Sequence, residues 1–241
     1  MNNRKASPFT YFSRTDSPSM PLILVALVTL TLAFAPNETP SKDAPSTPDE
    51  AVAAVMAGNA RFVNGQSTAH TIETDRAQLA SGQAPFAAVI RCADSRVAPE
   101  ICFDQPLGQL FVCAVAGNVP TLEGIASLEY GVAVLGTKLI VVMGHSECGA
   151  VGAAIEHRED TSVLPGSLPG LIDQIVSPCA LAVDPSDADA LKKATACNAA
   201  KSVTQLLKRS NVIKEAVAKG DLRLIAGVQD LGTGVFTLVK K

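Results

Sequence analysis

The sequence has no long block of basic residues. Its 20 Lys and Arg stand against 23 Asp and Glu, for a net charge of -3, so it lacks the basic face with which proteins neutralise nucleic-acid phosphates. A small neutral or anionic substrate remains open. No G-x-G-x-x-G follows the first predicted strand, which sets aside a nucleotide-binding doubly wound domain. There is no internal repeat. Nor does any apolar run reach the ~20 residues that a membrane-spanning helix needs; "PLILVALVTLTLAFA" at 21–35 stops at 15.

What is present begins with that run. Arg4, Lys5 and Arg14 precede it and Ala33-Phe34-Ala35 closes it, the order of basic n-region, h-region and small-x-small cleavage site in a secretory signal. The expectation is a signal peptide over 1–35, a Pro- and Ser-rich linker over 36–48 and one folded domain over 49–241, exported and periplasmic. Pro36 would fall just after the cut, where its fixed φ and missing N–H suit it poorly. An uncleaved membrane anchor and a buried core helix therefore stay as alternatives. With 47% hydrophobic residues in 241, the chain suits one globular domain, or one with a short appendage. Six cysteines in an exported protein suggest disulfides, yet their spacing lacks the density of a small stapled scaffold, so some have other work.

"TPDEAVAAVMAGNARFVNG" opens with a Thr or Asp cap and sets Val52, Val55, Met56 and Phe62 at helical spacing, with Gly65 to end it. A second helix is expected over about 74–81, stopped by "SGQAP". "FAAVIRC", "LFVCAVAGN" and "KLIVVMGH" read as buried strands, with a helical period in "TLEGIASLEYGVAVLG" and a helix, "SECGAVGAAIEHR", opening directly from the third. Near-continuous apolar strands alternating with helices predict an α/β fold, a mostly parallel central sheet covered by helices. Residues 164–219 read as mostly helical. "DLRLIAGVQDLGTGVFTLV" then supplies a strand, a Gly-rich turn and a C-terminal antiparallel edge strand.

In such sheets ligands bind beyond the carboxyl ends of the strands, near a switch in strand order. Cys92 ends one predicted strand, His145 ends another, and Cys148 follows three residues on. Two thiolates and an imidazole select Zn2+ over harder ions, and three protein ligands leave a fourth position open for water, the catalytic pattern. Singly these signals are weak, since a Cys at a strand end is more often a small buried hydrophobe. Both at strand ends, with Asp94 and Arg96 alongside, carry the combined reading.

"CADSRV" followed by "GHSECGAV" resembles the β-class carbonic anhydrases, whose C-x-D-S-R and H-x-x-C motifs carry zinc. The resemblance runs from about Ala51 to Val239 and includes "GNARFVNG", "GQAP", "AGN" and "ASLEYGV". It implies one Zn2+ per chain on Cys92, His145 and Cys148, with Asp94 and Arg96 as the dyad at the fourth position. The implied activity is reversible hydration of CO2 to bicarbonate and a proton by zinc-bound hydroxide. It also puts Gln83, Phe111 and Tyr130 in the substrate pocket, shared across a dimer interface in plant-like members, and so implies a homodimer or a dimer of dimers. Without the resemblance these three read as a loop amide, a strand core residue and a helix core residue.

A zinc with two thiolates acidifies its water less than an all-histidine site, where the pKa is ~7. Asp94 is expected to accept the hydroxide's hydrogen bond while Arg96 keeps it ionised and oriented. Gln83 would donate to the oxygen that gains charge. Let go by Arg96, Asp94 can reach the metal and displace water, which makes it a candidate ligand as well. Activity should then rise with pH and be low in acid. Two departures from the family stand out: Ala114 where it usually has Arg, and Gly108-Gln109 where it has a glycine–acid pair. They put in doubt the salt bridges that brace site and dimer, and leave the ligands intact. The lack of Trp fits the plant-like pocket.

Cys102 and Cys113 read as buried packing. Cys179 and Cys197 flank the polar "AVDPSDADALKK", where they either remain free or bridge to staple an exposed excursion. His70 and His157 lie in polar stretches and are expected to be exposed. Two competing readings keep the same zinc ligands. A carbonyl sulfide or carbon disulfide hydrolase would differ in pocket lining, which the intact Gln83 disfavours. A non-catalytic periplasmic zinc-binding protein would not require Asp94 and Arg96.

Overall fold

The computed structural model describes residues 44–70, 76–77 and 79–239. The expected signal peptide and all but the end of the linker lie outside the described residues. So does part of the helix expected over 74–81, of which Arg76, Ala77 and Leu79 are helical. Helix α1, Pro48–Val63, starts as its sequence dictates. Thr47 Oγ1 accepts the Glu50 N–H at 3.2 Å and Glu50 Oε2 accepts the Thr47 N–H at 3.1 Å, a reciprocal cap that satisfies two donors the helix leaves over.

Five strands form one sheet: β1 Ala87–Arg91, β2 Leu110–Ala114, β3 Leu139–His145, β4 Arg223–Gln229 and β5 Phe236–Leu238. Their order is β2-β1-β3-β4-β5. All pairs are parallel except β4 with β5, the antiparallel edge expected from the Gly-rich turn.

The apolar runs of β1 and β3 are explained by burial on both faces. Successive side chains of a strand point to opposite sides, and the core divides accordingly. Ala87, Val89, Leu139, Val141 and Met143 pack with Val55 of α1, with Val151 of α4 (Gly149–Glu156) and with Ile172 and Ile175 of α5 (Leu168–Ile175). These helices follow α2 (Pro99–Cys102) and α3 (Leu122–Ala133) in the chain. Ala88, Ile90, Ile140 and Val142 face the other way, against Ile125 and Leu128 of α3, Leu206 of α6 (Ala190–Arg209) and Ile213 of α7 (Asn211–Lys219). The short α2 has no counterpart in the sequence reading. Among the described residues no helix is long and apolar enough to cross a membrane.

The chain leaves β1 to one side for β2 and returns to its other side for β3. Connections from the carboxyl ends of β1 and β3 therefore diverge, which opens a crevice at that rim. Cys179 and Cys197 are joined in a disulfide, and Cys102 and Cys113 are buried. The two histidines expected in solvent are instead half-buried. The Asp104 carboxylate, itself 2% exposed, accepts Arg61 Nε at 2.5 Å and the Thr68 N–H at 2.9 Å and lies 3.4 Å from His70 Nε2, drawing that loop onto the body. His157 caps the end of α4, where its N–H bonds back to Ala153 O at 2.9 Å.

Candidate metal centre

Cys92 is the first residue beyond β1 and His145 the last of β3, so two parallel neighbours deliver a thiol and an imidazole to one rim. Cys148 reaches them because Glu147 turns the chain with a left-handed φ of 55°. Such a backbone is uncommon for a side-chain-bearing residue, and these conformations gather at functional sites. Cys148 is also the N-cap of α4, where the helix dipole favours a thiolate. The three ligand atoms lie within 4.8 Å of one another, all in buried residues.

His145 Nδ1 lies 2.8 Å from Ser146 O, which makes Nδ1 the protonated donor and leaves Nε2 with a free lone pair. That Nε2 is buried without a hydrogen-bond partner. An unmet polar atom in a protein interior costs about 1–3 kcal/mol, and a soft or borderline cation between two sulfurs is the partner that suits it. The donor set therefore fits Zn2+.

The two thiols are driven apart in acidity. Cys92 is held low, to about 4, first by the hydrogen bond from Cys148, with help from His145 and the Gly117 N–H against the opposing effect of burial. Cys148 is pushed well up by the same contact and by burial. For His145, burial pulls the value down, but contact with Cys92 and Ser146 leaves it raised. A divalent cation would take the place of the proton that the sulfurs share.

Asp94 overlooks the same space, with Oδ2 3.8 Å from His145 Nε2. Its carboxylate is gripped by Arg96 through the backbone N–H at 2.9 Å, Nε at 2.9 Å and Nη2 at 2.7 Å. The Arg96 guanidinium holds that carboxyl well below the usual carboxylate range, and the partnership raises Arg96 in turn. Arg91 binds the backbone on the other side, donating from Nη1 to Cys92 O at 2.6 Å and Asp94 O at 3.3 Å. It is the register partner of Ala114, so a cation stands at this end of the sheet although position 114 has none.

The expected pocket residues are brought to one another in part, and not to the ligands of their own chain. Gln83 is exposed on the loop that enters β1, whereas Cys92 leaves its far end; five strand residues span roughly 16 Å. Phe111 pairs in register with Ala88, four residues and roughly 13 Å short of Cys92. The Phe111 and Tyr130 rings lie 6.3 Å apart at 35°. Tyr130 is 46% exposed, which rules out a plain helix core residue. Sequence reasoning attached no role to the Gly117 N–H, which donates to Cys92 Sγ at 3.2 Å; only the "AGN" match marked that turn.

A family model described as carbonic anhydrase matches residues 87–236. Carbonic anhydrase 2 of Mycobacterium tuberculosis is 39% identical over 190 residues, which covers 78% of this chain and 91% of that protein. The Coccomyxa β-carbonic anhydrase in complex with acetazolamide is 30% identical with a TM-score of 0.62, covering 70% of this chain and 78% of that one. A tetrameric β-carbonic anhydrase of Sordaria macrospora, 23% identical with a TM-score of 0.62, covers 79% of this chain and 98% of its own and shares the fold.

Proposed function

The chain belongs to the β-class carbonic anhydrases, and from that premise we propose that it catalyses the reversible hydration of carbon dioxide at a zinc held by Cys92, His145 and Cys148. The observation that carries this reading is the convergence of three buried ligand residues, their ligand atoms within 4.8 Å of one another, with His145 Nε2 left unpartnered. When bound, zinc supplies the Lewis acidity that makes water a nucleophile near neutral pH. The chain's own residues orient that chemistry.

Asp94, kept ionised, would accept a hydrogen bond from the O–H of the attacking water and so aim the water oxygen's lone pair at CO2. Arg96 fixes the carboxylate by a bidentate, charge-assisted grip, which is directional as well as strong. If the grip opened, the freed Asp94 carboxylate would be able to join Cys92, His145 and Cys148 in holding the metal, which would close the site to water. Gln83, Phe111 and Tyr130 of a second copy complete the CO2 pocket, with the Gln83 amide donating to the oxygen that gains charge. The distance of these side chains from their own Cys92 and the exposure of Tyr130 support that arrangement. A homodimer is then the smallest complete enzyme, alone or as a dimer of dimers. Export behind a signal peptide over 1–35 to an oxidising compartment, the periplasm, belongs to the same proposal, and the Cys179–Cys197 disulfide supports it.

Stopped-flow CO2 hydration from about pH 6 to 9, with zinc content measured in parallel and carbon disulfide as the rival substrate, tests the reading. One zinc per chain with rapid hydration is expected. Faster turnover of carbon disulfide would reassign the pocket, and bound zinc with no turnover of either substrate would make the chain a binding protein.

A further inference from the structure

The hydrogen bond from the Gly117 N–H to Cys92 Sγ, 3.2 Å long, comes from an unusual place. Gly117 lies in a single turn, Ala116–Asn118, just after β2, with φ 69° and ψ 19°. Glycine has the widest conformational freedom of any residue, so its N–H stays aimed at one sulfur only where its surroundings hold it. Two elements do so. From α6, Asn198 Nδ2 donates to Gly117 O at 2.7 Å, and four residues on Ser202 Oγ shares its one hydrogen between Asn198 O at 3.0 Å and Asn118 O at 3.3 Å. Helix α6 thus grips two successive carbonyls of the turn. From α5, Ile175 closes over the other side: a Cβ added at Gly117 would lie 2.5 Å from Ile175 Cδ1.

The two sides of this clamp are linked to each other. Cys197 immediately precedes Asn198, Cys179 follows Ile175 by four residues, and the two cysteines form the disulfide. Asn198 is 2% exposed, so its amide has no access to solvent and its bond to Gly117 O is the fixed end of the chain of contacts.

We propose that Asn198 is a positioning residue for the metal's thiolate ligand: with Ile175 it clamps Gly117 so that the Gly117 N–H stays on Cys92 Sγ, and the Cys179–Cys197 disulfide locks the clamp from outside. The inference rests on Cys92 being a zinc ligand, as proposed above. An N–H···S bond draws electron density from the sulfur and restrains its direction, the means by which partners beyond the ligands tune a metal. Without it the sulfur is richer in electrons and less well oriented. Two quantities follow: the richer sulfur moves thiolate-to-metal charge-transfer absorption to lower energy, and the lost orientation, outweighing the sulfur's stronger donation, lets the metal leave faster. Loss of a merely packed asparagine would lower stability and leave the absorption in place.

The test uses the full protein loaded with Co2+ for spectra and Zn2+ for release to a chromogenic chelator. Wild type is compared with Asn198→Ala and with the double variant Cys179→Ser/Cys197→Ser. In Asn198→Ala the near-ultraviolet band should shift to lower energy and zinc should leave about tenfold faster; the double variant should move both in the same direction by less. Band and release rate equal to wild type in both variants overturn the inference. If Asn198→Ala does not fold, the disulfide variant decides alone by the same two readings. A wild-type protein that takes up neither ion refutes the metal centre itself, and this inference with it; the two failures are thereby distinguished.

Discussion

Substituting Gly117 by alanine strikes the turn at its tightest point. At φ 69° the new residue sits in the left-handed region, which costs an L-residue about 1–2 kcal/mol. Its methyl would also meet Ile175 Cδ1 at 2.5 Å and Ala150 Cβ at 3.2 Å. Overpacking of this kind adds about 1–3 kcal/mol, so the whole loss is roughly 2–5 kcal/mol. For a domain of this size 1 kcal/mol corresponds to about 2–4 °C in Tm, and the melting point should fall by roughly 4–20 °C. The steric share is separable from the backbone share. Ile175→Val deletes Cδ1, the atom in closest contact, so the Gly117→Ala/Ile175→Val double variant should be less destabilised than the sum of the singles by about 1 kcal/mol or more. The backbone share should persist. Any shift of the turn that relieves the clash disturbs the Gly117 N–H bond to Cys92 Sγ, so zinc content should fall in Gly117→Ala and recover in part in the double variant. Differential scanning calorimetry with metal analysis reads all of this. A Gly117→Ala protein with wild-type Tm and full zinc would refute the reasoning, and strict additivity of the two substitutions would remove its steric half.

Arg96→Gln should keep one zinc per chain, since Arg96 touches none of the three ligands, yet lose on the order of 10- to 100-fold in kcat/KM near pH 7 because the nucleophile's acceptor is no longer fixed; wild-type rates at every pH would contradict this. In the unaltered protein kcat/KM should climb from about pH 6 to 9. Asp94 is depressed by Arg96 and stays ionised throughout that range, so the acid limb would reflect activation of water at the proposed zinc rather than protonation of Asp94; a flat profile is the adverse result. Asp104→Asn should destabilise the fold by on the order of 2 kcal/mol at pH 7. Asp104's folded value is lowered, against burial, by Arg61 and Thr68, so its contribution is complete above the unfolded value of about 4 and is lost as pH falls through the folded one. Denaturant curves of the two proteins should accordingly converge in acid. Stripping with a strong chelator should abolish hydration, and Zn2+ but not Mg2+ should restore it, because two sulfurs and a nitrogen disfavour a hard ion; full recovery with Mg2+ would exclude this ligand set.

How much of this was legible beforehand depends on what each contact demands of the sequence. β1 and β3 stand out as apolar runs because both faces are buried, and the parallel order of a sheet then places Cys92 and His145 on one rim without further information. A metal ligand must be one of a few side chains, so Cys92, His145 and Cys148 stand out as candidates. Four-residue α2 has too few turns for any period to appear. His70 was misjudged because the buried carboxylate that draws it inward belongs to Asp104, 34 residues further on. The pocket trio shows another limit, since spacing along one chain says nothing about which copy's metal a side chain faces. The clamp on Gly117 was the least visible. Thr195, Asn198 and Ser202 recur at helical spacing on α6 and would pass for a solvated stripe, yet each is at most 2% exposed, and Asn198 meets Gly117 across 81 residues of sequence. A clamp requires only a donor aimed correctly, which an amide, a hydroxyl or a backbone N–H can supply, so its chemistry leaves no compositional mark. Only the packing of α6 and α5 about one turn reveals that a polar stripe has been turned inward to hold a thiolate in place.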